Sequence, residues 1–202
     1  NQLAQQRTEK DNLLAQLQVE ESEIEALTMT LEEEQTLLRN QEVALNKLIN
    51  DYKEQEKNLT QASQSYPSAG SGIFIRPSAG RVTSEFRSPS RPDHHGIDIA
   101  QGGTVPIYAA ANGYVTRSYY SNTYGHVVFI SHYINGEIYT TVYAHMRNRA
   151  VSTGQMVQQG DFLGNMGNTG HSFGQHLHFE IHEGQWNNDK TNAVNPRKYI
   201  NF

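Results

Sequence analysis

The sequence predicts a mostly antiparallel β domain preceded by a long α-helical coiled-coil segment. All 16 Gly and all 6 Pro residues follow Tyr66, so the first part of the chain lacks the residues that most often end a helix. In that part, leucine recurs at a mixed three-and-four spacing, which is typical of a coiled coil. The second part consists of short apolar runs separated by turn residues, which favours β structure.

Composition excludes several classes of protein. Up to Tyr66 the chain has 6 Lys and Arg against 13 Asp and Glu, a net charge of −7. Residues 67–202 have 10 against 8, a net charge of +2, so neither part is basic enough to indicate nucleic-acid binding. The absence of Cys excludes a disulfide framework and thiolate zinc sites. No apolar run approaches the ~18 residues that a membrane span needs.

Residues 1–62 are expected to form one coiled-coil helix. Two successive steps of three, from Glu21 to Ile24 and from Ile24 to Leu27, mark a stammer in its seam. Because such a helix cannot bury its stripe alone, we expect it to pair with a second copy, with a partner such as a regulatory membrane protein, or with a helix outside this sequence. It serves either as a dimerising or spacer rod, or as an arm that docks a regulator or covers a functional site. The seam positions are Lys10, Leu14, Leu17, Glu21, Ile24, Leu27, Leu31, Glu34, Leu38, Gln41, Leu45, Leu48, Tyr52, Gln55 and Leu59.

A flexible linker is expected at residues 63–72, where the leucine periodicity stops and Ser, Pro and Gly follow. Residues 73–202 are then expected to form one β domain without an amphipathic helix. Asn135-Gly136 predicts a type I′ hairpin turn, and residues 159–161 predict a second turn. Strands are expected at residues 73–75, 81–83, 127–133, 137–143 and 162–164.

The stretch from Gly174 to His182 carries the densest group of candidate functional residues. Read as a strand, it places His176, His178, Glu180 and His182 on one face and three apolar residues on the other. Two histidines two positions apart lie roughly 7 Å from each other along a strand, so both can reach one small site. The alternative interpretation is a surface strand that is merely rich in histidine.

A second candidate block is Asp93-His94-His95-Gly96-Ile97-Asp98-Ile99-Ala100. The alternation of Ile97 and Ile99 indicates a loop that enters a strand, with Asp98 directed away from the core. A carboxylate together with imidazole nitrogens suits zinc, although most His-Asp spacings of this kind bind no metal. The block itself does not decide between His94 and His95.

Isolated histidines are usually structural residues with satisfied hydrogen bonds, and this applies to His126, His132 and His171. His182 is expected to be exposed. His145, at the expected end of a strand after Tyr143, gains interest only through the other two blocks.

Together these blocks resemble the lysostaphin-type (LytM-like) zinc metallopeptidases of family M23, which are peptidoglycan endopeptidases. The resemblance covers residues 73–202. It rests on His94-x-x-x-Asp98 inside His-His-Gly-Ile-Asp-Ile-Ala, on Tyr143-Ala144-His145, and on Gly-Gln-His-Leu-His-Phe-Glu-Ile at 174–181. Further matches are Gly113-Tyr114-Val115, the Gly-Asn-Met-Gly-Asn-Thr-Gly run at 164–170, and Val194-Asn195-Pro196.

The resemblance implies one zinc ion per domain, held by His94, Asp98 and His178. It implies that His145 and His176 form the catalytic pair that activates the attacking water and stabilises the oxyanion. It also implies bacterial peptidoglycan as the substrate and an extracytoplasmic location, whether secreted, in the cell wall or in the periplasm. The choice of His94 over His95 follows from the family spacing alone.

The expected function is that of a zinc endopeptidase that hydrolyses peptide cross-links or stems of peptidoglycan, with a coiled-coil arm for regulation, docking or oligomerisation. The alternative is a non-catalytic activator of cell-wall amidases, since some coiled-coil members of the family act in that way. Such members typically lack the ligand residues, all of which are present here. Two small departures from the family pattern, Met146 in place of Leu and Gln175 in place of Pro, remove no metal-binding or proton-handling group. A third interpretation, a scaffold organised by the coiled coil, would leave the presence of His94, Asp98 and His178 unexplained.

Overall fold

The computed structural model of the protein describes residues 31–59 and 73–202. The predicted helix is present over α1 (Leu31–Leu59). Its expected start at residues 1–30 and the expected linker at 63–72 lie outside the described residues. Within the described part of the chain, no helix is both long enough and apolar enough to cross a bilayer.

The domain that follows is mostly antiparallel β, as predicted, and every strand pairing in it is antiparallel. Its only described helical element is a short 3₁₀ turn, Pro196–Lys198. The strands are β1 (Arg81–Ser84), β2 (Ile97–Ala100), β3 (Pro106–Tyr108), β4 (Gly113–Ser121), β5 (Gly125–Ile134), β6 (Glu137–Arg149), β7 (Met156–Val157), β8 (Phe162–Met166), β9 (Leu177–Glu183) and β10 (Ala193–Val194).

The long strands β5, β6 and β9 form the centre of the sheet, whose order is β1-β2-β9-β6-β5-β4-β7. Three further pairings extend it, because β10 pairs with β9, and β8 pairs with both β3 and β6. The β5–β6 hairpin turns at Asn135 and Gly136, whose φ angles are 53° and 85°. Two positive φ angles are what a type I′ turn requires, so the predicted hairpin is confirmed.

The main hydrophobic core lies on one side of this sheet. Strand β9 contributes Leu177, Phe179 and Ile181 to it, and β2 contributes Ile97 and Ile99. All five side chains are fully buried. Because side chains alternate across a strand, the residues between them face the opposite side of the sheet, where the candidate site lies.

Residues 73–75 do not form the expected strand. Their chain is irregular, and only one backbone bond, from the Ile75 N–H to the Ala110 carbonyl (2.8 Å), ties it to the domain. Residues 109–112 run outside any strand, so they offer no continuous ladder for a neighbouring segment to join. The apolar composition of residues 73–75 predicts a strand, but it does not show that residues 109–112 offer no strand to pair with.

Helix α1 packs on β4 and β5. Leu37 is buried in a second hydrophobic cluster with Tyr124, Phe129 and Trp186, and Gln41 Nε2 donates to the Trp186 carbonyl at 3.0 Å. Leu38, an expected seam residue, is 54% exposed. In these turns the helix buries Leu37 and Gln41 against its own β domain while Leu38 stays exposed, so the expected pairing of the seam with a second copy, a partner protein or another helix stays a prediction.

His132 gives the fold a testable pH dependence. Its buried ring lies 2.8 Å from the Asn112 carbonyl and 2.8 Å from Thr141 Oγ1, and burial lowers the pKa of His132 from 6.5 to about 4. Between these values the unfolded chain binds a proton that the folded protein does not. The free energy of unfolding should therefore fall as the pH drops from 6.5 to 4, by up to about 3 kcal/mol from this group.

Denaturant titrations across that range should show a shallower pH dependence in His132→Gln than in the wild type. His171→Gln, which alters an exposed ring, should keep the wild-type slope. Equal slopes in the wild type and His132→Gln would contradict the assignment.

Candidate metal centre

Pairing of β2 with β9 builds the centre of the site. Asp98 lies directly opposite His178 in this antiparallel pair, and residues opposite each other project from the same face of a sheet. The neighbours of Asp98 on either side, Ile97 and Ile99, fill the core. Asp98 therefore points away from the core, as the alternation predicted.

Three side chains converge on one point of this face. His94 Nε2 lies 3.0 Å from Asp98 Oδ1, His178 Nδ1 lies 2.9 Å from the same oxygen, and the two nitrogens lie 3.1 Å apart. All three residues are buried. Tetrahedral nitrogen and oxygen ligands ~2.0–2.1 Å from zinc lie roughly 3.3 Å from one another, so the observed spacing fits that ion. Three protein ligands leave a fourth position open, as in catalytic zinc sites.

The structure also separates His94 from His95, which the residues alone could not. In the described part of the chain, the group of His and acidic side chains close enough to hold a metal is His94, Asp98 and His178. The ring of His94 is oriented by its Nδ1, which lies 2.9 Å from the Glu85 carbonyl and so leaves Nε2 for the centre. His95 lies outside this group, and burial lowers its pKa to about 4.

Gly96 permits the close approach of the His178 ring. A Cβ atom at residue 96 would lie 2.8 Å from His178 Cε1 and 2.6 Å from the Phe179 carbonyl oxygen. Real Cβ atoms do not approach other atoms so closely. The glycine between His95 and Ile97 is therefore required by the contact between β9 and the loop that leads into β2.

Arg91 is a neighbour of the centre that the sequence did not reveal. Its Nη1 donates to Asp98 Oδ2 at 2.9 Å and to Ser84 Oγ at 3.0 Å. Asp98 thus presents one oxygen to the imidazoles and the other to a guanidinium. Although burial alone would raise the pKa of Asp98, hydrogen bonds to His178 and His94 outweigh it and hold the pKa well below its usual range.

His145 and His176 lie together beside this group, with ring centroids 4.7 Å apart. His145 Nδ1 lies 2.9 Å from the Thr169 carbonyl, and His176 Nδ1 lies 2.9 Å from the Gly174 carbonyl. His176 Nε2 is 3.8 Å from Asp98 Oδ1. Burial lowers the pKa of His145 to about 3 and also lowers the pKa of His176, so both rings are neutral at pH 7.

The position of His145 in its strand differs from the expectation. We expected it at the end of a strand, but β6 continues to Arg149, and His145 occupies a left-handed conformation inside it with φ of 57°. The pairing of β6 with its neighbours shifts register close to this residue, as between Met146 and Asn148. This irregularity redirects the side chain, and a regular alternation pattern cannot predict it.

The expected exposure of His182 was wrong, since its ring is fully buried. His182 Nε2 lies 2.7 Å from Glu180 Oε2, and its Nδ1 lies 3.0 Å from Asn192 Oδ1. The loop between β9 and β10, which includes the buried Trp186 and Lys190, covers this end of the face. Glu180, on the same face of β9, is buried with it.

Residues 92–196 match the family described as Peptidase family M23. That stretch is more than half of the 202-residue chain, and it contains all five predicted site residues. The chain belongs to peptidase family M23. Zinc is therefore the metal that both the donor set and the family indicate.

Several similar proteins show how far the similarity extends. The peptidoglycan DD-endopeptidase ShyC of Vibrio cholerae is 40% identical over 88 residues, which are 44% of this chain and 20% of that protein. The peptidoglycan DD-endopeptidase ShyA of the same species is 33% identical over 159 residues, 72% of this chain and 36% of that protein. The crystal structure of a zinc-containing peptidase from Vibrio cholerae matches with a TM-score of 0.51 and 27% identity, over 62% of this chain and 39% of that chain. The chain thus spans only 20% to 36% of the length of the two endopeptidases.

Adjacent histidines provide a sharp test of the metal centre. His94→Ala should lose the bound zinc, because it removes one of three donors, whereas His95→Ala should keep about one zinc ion per chain. His178→Ala should behave like His94→Ala. Zinc content can be measured by atomic emission on purified, zinc-reconstituted protein. Zinc retained by His94→Ala and lost by His95→Ala would reverse the assignment, and a metal-free wild type would refute the site.

Proposed function

We propose that the chain is a zinc-dependent endopeptidase that hydrolyses peptide cross-links or stems of bacterial peptidoglycan. The observation that carries the proposal is the convergence of His94, Asp98 and His178 beside the His145–His176 pair. Membership of family M23 and similarity to two proteins named as peptidoglycan DD-endopeptidases support it. The same similarity supports action outside the cytoplasm, where peptidoglycan lies.

In this proposal His94 Nε2, Asp98 Oδ1 and His178 Nδ1 hold the zinc ion. When bound, zinc supplies Lewis acidity that polarises a peptide carbonyl and makes a water molecule more acidic. Arg91 keeps the Asp98 carboxylate oriented through its second oxygen. No Ser or Cys nucleophile is required, because water is the attacking group.

The hydrogen bonds of the neighbouring histidine pair assign its proton-handling atoms. A carbonyl oxygen can only accept a hydrogen bond, so the Nδ1 atoms of His145 and His176 carry the protons that they donate to Thr169 and Gly174. In a neutral ring the other nitrogen, Nε2, is then the acceptor. We infer that one of these Nε2 atoms takes the proton of the attacking water, that the resulting imidazolium stabilises the charge that develops on the scissile carbonyl, and that the proton then passes to the leaving amine.

Helix α1 gives the proposed arm a place beside the site. Leu37 contacts the cluster that contains Val142 and Ala144, which lie opposite Glu180 and His178 in the β6–β9 pair. The helix therefore lies on the same face of the sheet as the metal centre. We propose that the coiled coil over residues 1–62 positions or restrains the enzyme there, or joins it to a second copy or a regulatory partner.

The alternative, a non-catalytic activator of amidases, has weaker support. An activator needs a binding surface but no metal ligands, whereas this chain assembles a complete set of donors and a complete histidine pair. Digestion of purified peptidoglycan separates the two functions. An activator would release no products by itself and would increase release by an added amidase.

Wild-type protein should release soluble peptide-containing products from purified peptidoglycan, and a chelator should abolish the release. His176→Ala should lower the rate by at least about 100-fold, since general acid–base groups contribute 10²–10⁴-fold, while zinc content stays at the wild-type level. His171→Ala, which changes a histidine of the same loop outside the proposed mechanism, is the control. Mass spectrometry of the products identifies the bond that is cut. A wild type without chelator-sensitive release, or a fully active His176→Ala, would contradict the proposal.

Removal of residues 1–66 should leave peptidoglycan hydrolysis intact, or raise it if the arm restrains the enzyme, because every proposed site residue lies beyond residue 84. The comparison is the initial rate of product release at equal zinc content. A lower rate in the truncated protein would show that the arm is needed for catalysis or for substrate targeting.

A further inference from the structure

A buried network of charged and polar side chains lies behind His178, on the side away from Asp98. Its centre is Glu180, which is 0% exposed. Glu180 Oε1 lies 3.0 Å from His178 Nε2, accepts from the Tyr124 hydroxyl at 2.7 Å and lies 3.3 Å from Lys190 Nζ. Glu180 Oε2 lies 2.7 Å from His182 Nε2. Each carboxylate oxygen of Glu180 therefore has its own partners: Oε1 contacts His178, Tyr124 and Lys190, and Oε2 contacts His182.

We propose that Glu180 is a positioning residue of the metal centre, which fixes the His178 ring with Nδ1 toward His94 and Asp98. The proposal rests on the proposed zinc site. An imidazole nitrogen binds a metal only through a free lone pair, so the proton of a neutral His178 must sit on Nε2. A carboxylate at 3.0 Å is the strongest available acceptor for that proton. Glu180 therefore selects both the tautomer and the ring orientation that the centre needs.

The cost of burying Glu180 argues that it does more than fill space. A buried carboxylate loses its hydration, and an apolar residue of similar volume is often neutral or stabilising in its place. Here the chain supplies a buried lysine, Lys190, from a left-handed backbone position with φ of 49°. Left-handed φ is uncommon for a residue with a side chain. The fold thus accepts two unfavourable features to keep a negative charge against a metal ligand.

Tyr124 connects this network to the second half of the site. Its hydroxyl donates to Glu180, and its backbone carbonyl accepts from the N–H of His145 at 2.8 Å. His145 is the residue with the left-handed conformation inside β6. One tyrosine therefore restrains both the carboxylate behind His178 and the backbone that directs His145 toward the centre.

The test compares three variants by zinc affinity. Glu180→Leu combined with Lys190→Met removes both buried charges, so the domain can fold without an unpaired ion, and it should weaken zinc binding by 10–100-fold, the range for loss of such a partner. Glu180→Gln keeps an oxygen acceptor and should lose less affinity than the double variant. Glu183→Gln changes an exposed carboxylate on the same strand and should bind zinc like the wild type. Competition with a chromophoric chelator gives the dissociation constants.

Imidazole ¹⁵N NMR of the zinc-loaded proteins gives a readout that a purely structural role would not alter. The wild type and Glu180→Gln should show His178 with a protonated Nε2 and a metal-bound Nδ1, whereas the double variant should show a mixture or the reverse. Unchanged affinity and an unchanged His178 signal in a folded double variant would overturn the inference while leaving the zinc site intact. A wild type that binds no zinc would instead refute the site, and with it this inference.

Discussion

The whole site depends on the antiparallel pairing of β2 with β9. That pairing sets Asp98 opposite His178 on one face and presses Ile97, Ile99 and Phe179 into the core on the other. Slipping either strand by one residue would exchange the two faces. The proposed metal donors Asp98 and His178 and the apolar core are therefore held in register by the same backbone hydrogen bonds. Burial of the apolar face supplies the free energy that keeps the donors in place.

Most of what the sequence predicted about the site came from the alternation of apolar and polar residues along the strands. It placed Asp98, His178 and Glu180 on one face and their apolar neighbours on the other, and the type I′ turn followed from Asn135-Gly136. Contacts between distant segments could not be predicted in the same way. Burial of His182 depends on the loop after β9, and the proximity of Arg91 to Asp98 depends on how the preceding loop folds back. The left-handed conformation of His145 lies next to a local register shift in the β6–β8 pair, and no pattern of residue types encodes either feature.

Helix α1 and the candidate site lie on the same face of the sheet, although the sequence predicts two separate parts. The acidic, leucine-rich segment and the glycine-rich β domain differ in composition and charge, which favours two independent parts. Leu37 nevertheless joins the cluster of Tyr124, Phe129 and Trp186, and Tyr124 contacts Glu180. This hydrophobic cluster thus connects the helix to the carboxylate of Glu180.

The geometry of the candidate metal centre also depends on Gly96, although this residue offers no donor atom. Two atoms of the His178 ring lie 2.8 and 2.9 Å from the position that a Cβ atom at residue 96 would take, so the observed distance between the loop and β9 requires a glycine there. An alanine there would push the imidazole aside by several tenths of an ångström while every ligand remained in the chain. A comparison of ligand residues alone would then count as intact a member of the family whose donors no longer meet.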